Sequence, residues 1–208
     1  MPIISALALL QRPDAAHVSD KAIKILVNQV GVLKRLLDDL SAVTLEPAST
    51  PRLRFEPMNL HATLSELIEG LHATAKARHQ TLSLVLPAAP IWISADPQRL
   101  QQMLLNLLNN ALKYTGEGGR VGVSASVEAD MAVIRVDDTG IGISPDMLPR
   151  IFELFTREGR SPEVEGKGVG LAVVKQLAAA HGGFIEARSA GLHKGSNFSL
   201  RLPMHRWS

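Results

Sequence analysis

Hydrophobic positions in the first 46 residues are spaced as in a helical hairpin. Between residues 20 and 44 they recur at intervals of three and four, which is the seam along which helices pack. The positions of this seam, apolar except for the last, are Ile23, Leu26, Val30, Leu33, Leu37, Leu40 and Thr44. A shorter apolar segment at 3–11 precedes it across a loop with a proline. Because such a hairpin cannot bury its apolar face alone, the pattern predicts a homodimer through residues 1–46; packing of the hairpin on its own domain is the alternative.

A segment with three prolines, residues 46–58, separates the hairpin from the rest of the chain. Such segments form linkers or edge strands, and we assign 47–58 to a linker and 59–208 to a second domain. There the pattern predicts helices at 60–78, from Asp96-Pro97 to 115, just after Ser144-Pro145, and at 169–181. It predicts strands at 81–86, 91–94, 120–127, 131–137, 183–188 and 196–202. This order predicts an α+β fold, a two-layer α/β sandwich with helices on one face of the sheet.

The composition of the 208 residues narrows the classes of function. A net charge of +2 is too balanced, and an aromatic content of 4% too low, to favour nucleic-acid binding. The absence of cysteine excludes disulfides and thiolate metal sites and fits a reducing, cytoplasmic compartment. No apolar run approaches the roughly 20 residues that span a bilayer. We therefore expect no membrane contact by this segment, which leaves open a membrane anchor elsewhere in a longer protein.

The predicted helix at 96–115 carries a polar stripe beside its apolar face. Asn106, Asn110 and Lys113 are spaced by four and three residues, so they share one side of the helix. This side lies at the margin of the buried surface, where a ligand could reach it. Asparagine is a poor helix former, so two at one turn's spacing suggest a use. The alternative is an ordinary solvated helix edge.

Two further segments combine acidic, glycine and aromatic residues. A buried strand ends in Asp137-Asp138 and is followed by Thr139-Gly140-Ile141-Gly142. A carboxylate at this place can accept a hydrogen bond from an exocyclic amine, although Asp and Gly also form ordinary turns. In "RIFELFTR", the phenylalanines Phe152 and Phe155 are expected to contribute in part to core packing.

The stretch "EGKGVGLAVVK" at 165–175 has three glycines at alternate positions, Gly166, Gly168 and Gly170. It matches neither the P-loop, because Ser161 stands where the first glycine is required, nor the dinucleotide fingerprint, because Leu171 replaces its third glycine. The polar segment "EGRSPEVE" before it lacks helical or strand periodicity, which predicts a mobile lid.

Taken in order, these motifs resemble the ATP-binding domain of sensor histidine kinases. The order is N-x-x-x-N-A-x-K-Y-T, D-D-T-G-I-G, I-F-E-L-F, G-x-G-x-G-L-A-V-V-K, "AHGG" and "KGSNFSLRLP". These segments are similar to the family's N, G1, F, G2 and G3 boxes. The resemblance extends over about 59–203, and residues 1–46 resemble the end of the family's dimerisation and phosphoacceptor hairpin.

The resemblance implies ATP and Mg²⁺ as cofactors. Asn110 would bind the Mg²⁺ that bridges the phosphates, and an amide oxygen is a hard ligand of the kind Mg²⁺ prefers. Asn106 would support the metal or the phosphates, and Lys113 would contact phosphate. Tyr114 would lie along the nucleoside, and Asp138 would accept from the adenine amino group.

The glycines and their neighbours complete the site that the resemblance implies. Gly140 and Gly142 would let backbone and base approach each other. The glycines at 166, 168 and 170 would form the hinge of the lid and present amides to the phosphates at a helix N-terminus. Gly195 and Ser196 would close the adenine side. The full set implied to bind nucleotide is Asn106, Asn110, Lys113, Tyr114, Asp138, Gly140, Gly142, Gly166, Lys167, Gly168, Gly170, Leu171, Gly195 and Ser196.

The chain departs from the family at three places. Lys167 replaces a hydroxyl residue between two glycines, and with Arg157 and Arg160 it is a cation that could reach the triphosphate or simply be solvated. Leu154 replaces a common proline, which we interpret as a packing change. None of the seven histidines lies in the family's phosphoacceptor sequence. By alignment the acceptor falls before residue 1, so we expect a truncated kinase that binds Mg-ATP without phosphorylating itself; loss of autophosphorylation is the alternative.

The implied function is a protein histidine kinase of a two-component phosphorelay. It would transfer the γ-phosphoryl group to an upstream histidine and then to the aspartate of a response regulator. The related chaperones, mismatch-repair ATPases and topoisomerases hydrolyse ATP with a Glu at the place of Asn106, which cannot act as a general base. A non-catalytic, nucleotide-gated dimerisation module is another alternative. Serine kinases of the anti-sigma type usually lack the hairpin.

Overall fold

A computed structural model of the chain describes residues 53–156 and 168–205. The chain divides into two compact units, Met1–Thr44 and Leu45–Ser208. The predicted hairpin at 1–46, the predicted lid segment 158–165, the lid cations Arg157 and Arg160, and the site residues Gly166 and Lys167 lie outside the described residues.

In the described part of the second unit, seven strands form two sheets. Strands β1 (Glu56–Asn59) and β3 (Trp92–Ala95) pair antiparallel in a small sheet. The large sheet has the order β2-β4-β5-β7-β6. Its members are β2 (Thr81–Val85), β4 (Arg120–Glu128), β5 (Met131–Asp138), β6 (Phe184–Arg188) and β7 (Ser196–Pro203). Only the β2–β4 pair is parallel among the described strands, so one helical crossover and three antiparallel pairings build the sheet.

Among the residues that the structure describes, three helices pack on the large sheet. They are α1 (Leu60–Ala77), α2 (Pro97–Tyr114) and α3 (Gly170–Ala180). Helix α1 contacts β2, α2 contacts β5, and α3 contacts β6 and β7. In β4, Val121 and Val123 are buried while Gly122 and Ser124 are half-buried, which is the alternation of a sheet with one covered face. The two-layer α/β sandwich is therefore confirmed.

The ends of the helices follow from local sequence. The Asn59 side chain accepts hydrogen bonds from the amides of His61 and Ala62 and caps α1. Asp96 accepts from the Arg99 amide and caps α2, with Pro97 in the first turn. These residues satisfy amides that have no partner inside the helix, so the predicted starts of both helices are confirmed.

The structure decides one alternative that the sequence left open and contradicts one prediction. The proline-rich segment 46–58 was interpreted as a linker or an edge strand, and its residues 56–58 belong to β1, an edge strand of the two-stranded sheet. After Ser144-Pro145 the chain makes consecutive turns where a short helix was predicted, and that prediction was wrong. The Ser144 carbonyl accepts from the amides of Met147 and Leu148, which closes one turn. The next bonds, from the Arg150 amide to Met147 and from the Glu153 amide to Arg150, span three residues each, so the turn does not continue as an α-helix.

Within the described residues, no helix combines the length and the apolar character that crossing a membrane requires.

Candidate functional site

Helix α2 places its polar stripe at the edge of the core. Its apolar face, from Leu100 to Leu112, is fully buried, whereas Asn106, Asn110 and Lys113 are half-buried. This is the margin that the helical spacing predicts. The three side chains can therefore meet a ligand without leaving the packed layer.

Asp138 stands at the end of β5, with 9% of its surface exposed. Its Oδ1 accepts a hydrogen bond from the Gly140 amide at 2.8 Å. Its Oδ2 accepts from the Ser196 hydroxyl on β7, the strand paired with β5. Hydrogen bonds to both oxygens fix the orientation of the carboxylate, and each oxygen has a second lone pair for a further donor.

A pocket of about 610 Å³, counting the space continuous with solvent, opens beside Asp138. Six of the residues that sequence analysis singled out line it: Asn110, Tyr114, Asp138, Gly142, Leu171 and Ser196. Seven more lining residues were missed: Ala111, Ile141, Ile143, Met147, Ile151, Thr156 and Phe198. Most of the missed side chains are apolar, so the pocket is lined mainly by hydrophobic residues with few polar groups, as small-molecule sites commonly are.

The missed residues left only a weak signal in the sequence. Ile141 and Ile143 flank Gly142 and could have been found as apolar residues in a loop that otherwise carries polar and glycine residues. Met147 and Ile151 lie in the turns that follow, and Phe198 is on the buried face of β7. Ordinary core packing accounts for such residues equally well until the fold brings them to one cavity.

The remaining described candidates lie around the pocket without lining it. Asn106 Nδ2 donates to the Gly170 carbonyl at 3.3 Å, which joins α2 to the first turn of α3. Lys113 Nζ lies 4.8 Å from the centre of the Tyr114 ring and 3.4 Å from its hydroxyl. This cation–π contact holds the ammonium group next to a pocket residue, within reach of a ligand that extends past the tyrosine.

Two glycines are needed for the loops around Asp138 to meet. Gly142 has a φ of +69°, and a Cβ there would lie 2.1 Å from the Gly191 carbonyl oxygen. Gly195 has the same φ, and a Cβ would lie 2.0 Å from the Asp138 carbonyl oxygen. Both positions therefore exclude any side chain. The close approach at each glycine is to protein backbone.

The aromatic segment of the predicted F box is largely open to solvent. Phe155 is 70% exposed and Leu154 is 40% exposed, while Phe152 is half-buried. The expectation of core packing fails for Phe155. The Phe155 amide donates to the Gly168 carbonyl at 2.9 Å, so the backbone of this segment is tied to the start of the α3 region while its side chain points outward.

The donor set in the pocket suits a nucleotide. A fixed carboxylate can accept from an exocyclic amine, apolar walls can enclose a flat ring, and an amide oxygen can meet a cation. Among the described residues no group of three His, Cys, Asp or Glu side chains could hold a metal ion. An amide oxygen such as that of Asn110 is a ligand that Mg²⁺ accepts together with phosphate oxygens and water.

Comparisons with known proteins agree with this chemistry. The family described as histidine kinase-, DNA gyrase B-, and HSP90-like ATPase matches residues 95–206. The adaptive-response sensory kinase SasA of Synechococcus elongatus is 32% identical over 182 residues, which cover 87% of this chain and 47% of that protein.

Solved structures of histidine kinases share the fold. Full-length ShkA in complex with AMPPNP is similar with a TM-score of 0.79 and 27% identity, over 100% of this chain and 43% of that one. ThkA in complex with the response regulator TrrA has a TM-score of 0.71, 20% identity, and coverage of 98% of this chain and 58% of that one. The chain thus spans less than half the length of the curated relative SasA.

Proposed function

Since the chain belongs to the family of histidine kinase-, DNA gyrase B- and HSP90-like ATPases, as the ATP-binding catalytic domain of a histidine kinase, we propose that its pocket binds Mg-ATP for phosphoryl transfer to a histidine. The observation that carries this proposal is the Asp138 carboxylate. Both its oxygens are oriented by hydrogen bonds, and it faces an apolar pocket that Asn110 also lines.

We assign Asp138 to the adenine end of the site. Its carboxylate accepts from the adenine amino group, and a guanine would present a carbonyl oxygen there, which the carboxylate repels. Apolar residues such as Ile141 and Leu171 enclose the ring, because they line the same pocket. Ser196 holds the carboxylate, and Gly195 and Gly142 let the surrounding loops close on it.

We assign Asn110 and its helix neighbours to the phosphate end. Asn110 would supply an amide oxygen to Mg²⁺, which neutralises phosphate charge when bound. Lys113 is one helical turn away and would contact phosphate, with Tyr114 along the nucleoside. Asn106 links α2 to Gly170 and thereby orients the first turn of α3, where Gly170 and Leu171 present amides towards a phosphate. Gly140, Gly166, Lys167 and Gly168 complete the proposed site.

The reaction we propose is in-line transfer of the γ-phosphoryl group to a histidine in the dimerisation hairpin, and from there to an aspartate of a response regulator. The protein's contribution to such transfer is mostly positioning and charge stabilisation. Hydrolysis by a general base one turn before Asn110 is disfavoured, because Asn106 stands there and an amide cannot take a proton. The partners are accordingly a second copy of the chain and a receiver domain, in the cytoplasm.

A reconstituted transfer reaction tests this proposal. The chain is mixed with Mg-ATP and a separate hairpin fragment that carries a phosphoacceptor histidine of the family. We expect acid-labile phosphate on the fragment. If an ATP analogue binds but no phosphate is transferred, a nucleotide-gated binding module is the better description. If no nucleotide binds, both functions are refuted.

A further inference from the structure

The last turn of α2 ends against two other parts of the domain. Carbonyl groups in the last turn of a helix lack partners inside the helix. Here the Tyr114 carbonyl accepts from the Ile141 amide at 3.0 Å. The Leu112 carbonyl accepts from the side chain of Gln80 at 2.9 Å, and the Thr115 carbonyl accepts from the same amide nitrogen.

Gln80 lies in the connection between α1 and β2 and is only 8% exposed. Its Nε2 faces two carbonyl oxygens, those of Leu112 and Thr115, and an amide oxygen in its place would be repelled by both. Its Oε1 has no hydrogen-bond partner among the described residues. Burying an amide with one unsatisfied atom costs folding free energy. The hydrogen bonds that Gln80 makes through this side chain are therefore those donated by its Nε2.

The carbonyls that Gln80 holds flank Tyr114. Arg78 Nη1 adds a second, more exposed donor to the Leu112 carbonyl at 3.2 Å. The backbone at 112–115 is thus fixed from the side of α1 and β2, while the Tyr114 carbonyl between these positions holds the Ile141 amide. Tyr114 and Ile141 both line the pocket, and Gly140, next to Ile141, donates to Asp138.

We propose that Gln80, which does not line the pocket, is a positioning residue for adenine recognition. It holds the end of α2 so that the Tyr114 carbonyl fixes the 138–142 loop and the Asp138 carboxylate. This inference rests on the proposed binding of ATP. Loss of the Gln80 donor loosens the last turn of α2 and so weakens the contacts to the base of the ligand. Asn110, one turn earlier in α2, stays in helical structure, so the contacts to the phosphates are retained.

The test compares Gln80→Met, which keeps the side chain's length and removes its donor, with the wild type. Competition against a fluorescent nucleotide gives dissociation constants for the imidodiphosphate analogues of ATP and GTP, each with Mg²⁺. We expect the ATP analogue to bind about tenfold more weakly, the effect of losing one to two hydrogen bonds. The GTP analogue is expected to change by less than about twofold, so the preference for adenine falls. Deuterium exchange at the Ile141 amide is expected to accelerate.

Two further variants keep the test decisive. Leu67→Ala creates a cavity under α1, 13 positions before Gln80, and controls for lost stability. It should leave the preference for adenine unchanged. Gln80→Asn keeps an amide but is one methylene too short, and it replaces Gln80→Met if that variant does not fold. An unchanged preference in the folded Gln80 variants overturns the inference. Failure of the wild type to bind the ATP analogue overturns the proposed function instead.

Discussion

At the scale of single residues, the site depends on which of two adjacent carboxylates faces the pocket. Asp137 and Asp138 follow each other at the end of β5, and strand alternation sends them to opposite faces of the sheet. Asp137 is exposed and accepts from Asn197 at 2.7 Å, whereas Asp138 is buried and accepts from Gly140 and Ser196. Only the second carboxylate lines the pocket, so it is the one that could accept a hydrogen bond from a bound base.

Asp138→Asn tests the role of that carboxylate. The variant keeps an oxygen for the Gly140 amide but loses the charge, so we expect the ATP analogue to bind at least about tenfold more weakly, the usual effect of a charged hydrogen bond. Isothermal titration calorimetry measures the change. Asp137→Asn on the outer face is the matched control and should bind like the wild type. Equal affinities for all three proteins would contradict the assignment.

At the scale of elements, α2 is anchored at its N-terminus by Asp96. The carboxylate accepts from the amides of Arg54, at 2.9 Å, and Arg99, at 3.1 Å. The Asp96 amide donates to His181 Nε2 at the end of α3. Partial burial works to raise the pKa of Asp96, but the backbone hydrogen bonds and the nearby Arg99 outweigh it and hold the pKa below its ordinary value.

This lowered pKa predicts a pH-dependent contribution of Asp96 to stability. The folded state stabilises the ionised carboxylate of Asp96. The contribution of Asp96 to the unfolding free energy is therefore full above its ordinary pKa of 3.8, and it is lost as the pH falls through the lower pKa of the folded state. We expect Asp96→Ala to cost about 1 kcal/mol of unfolding free energy near neutral pH. Urea unfolding should show this gap shrinking below pH 3.8. Glu66→Ala, on the solvent face of α1, should show no such gap.

At the scale of the whole molecule, ligand binding should stabilise the fold. A ligand at about 100 times its dissociation constant adds about 2.7 kcal/mol to the unfolding free energy. For a domain of this size the melting temperature then rises by several degrees. We expect Mg-ADP to raise the melting temperature more than ADP alone, because the proposed role of Asn110 is to contribute a ligand to the metal.

Asn110→Ala should abolish the part of the thermal shift that depends on Mg²⁺ and retain the part due to ADP. The neighbouring Asn109 is exposed and lies about 100° around α2 from Asn110. It provides the control, since Asn109→Ala should behave as the wild type. Differential scanning fluorimetry with and without a chelator measures both. A Mg²⁺-dependent shift that persists in Asn110→Ala would refute the assignment of the metal ligand.

The sequence by itself determined the order of helices and strands, because hydrophobic periodicity and capping residues such as Asn59 and Asp96 act locally. It also placed Asn110 and Asp138 at a helix margin and a strand end, since those positions depend only on the period of each element. The prediction after Ser144-Pro145 was wrong because local helix signals there compete with packing around the pocket.

Only the tertiary structure decided what the elements build together. It brought Phe198 and Ile151 into the wall beside Asp138, placed Ser196 on its carboxylate and set Gln80 against the end of α2. Gln80 and Leu112 are 32 positions apart, and Ser196 and Asp138 are 58 apart. Contacts at such separations arise from strand order and helix packing. They cannot be predicted from the composition or the hydrophobic period of any one segment.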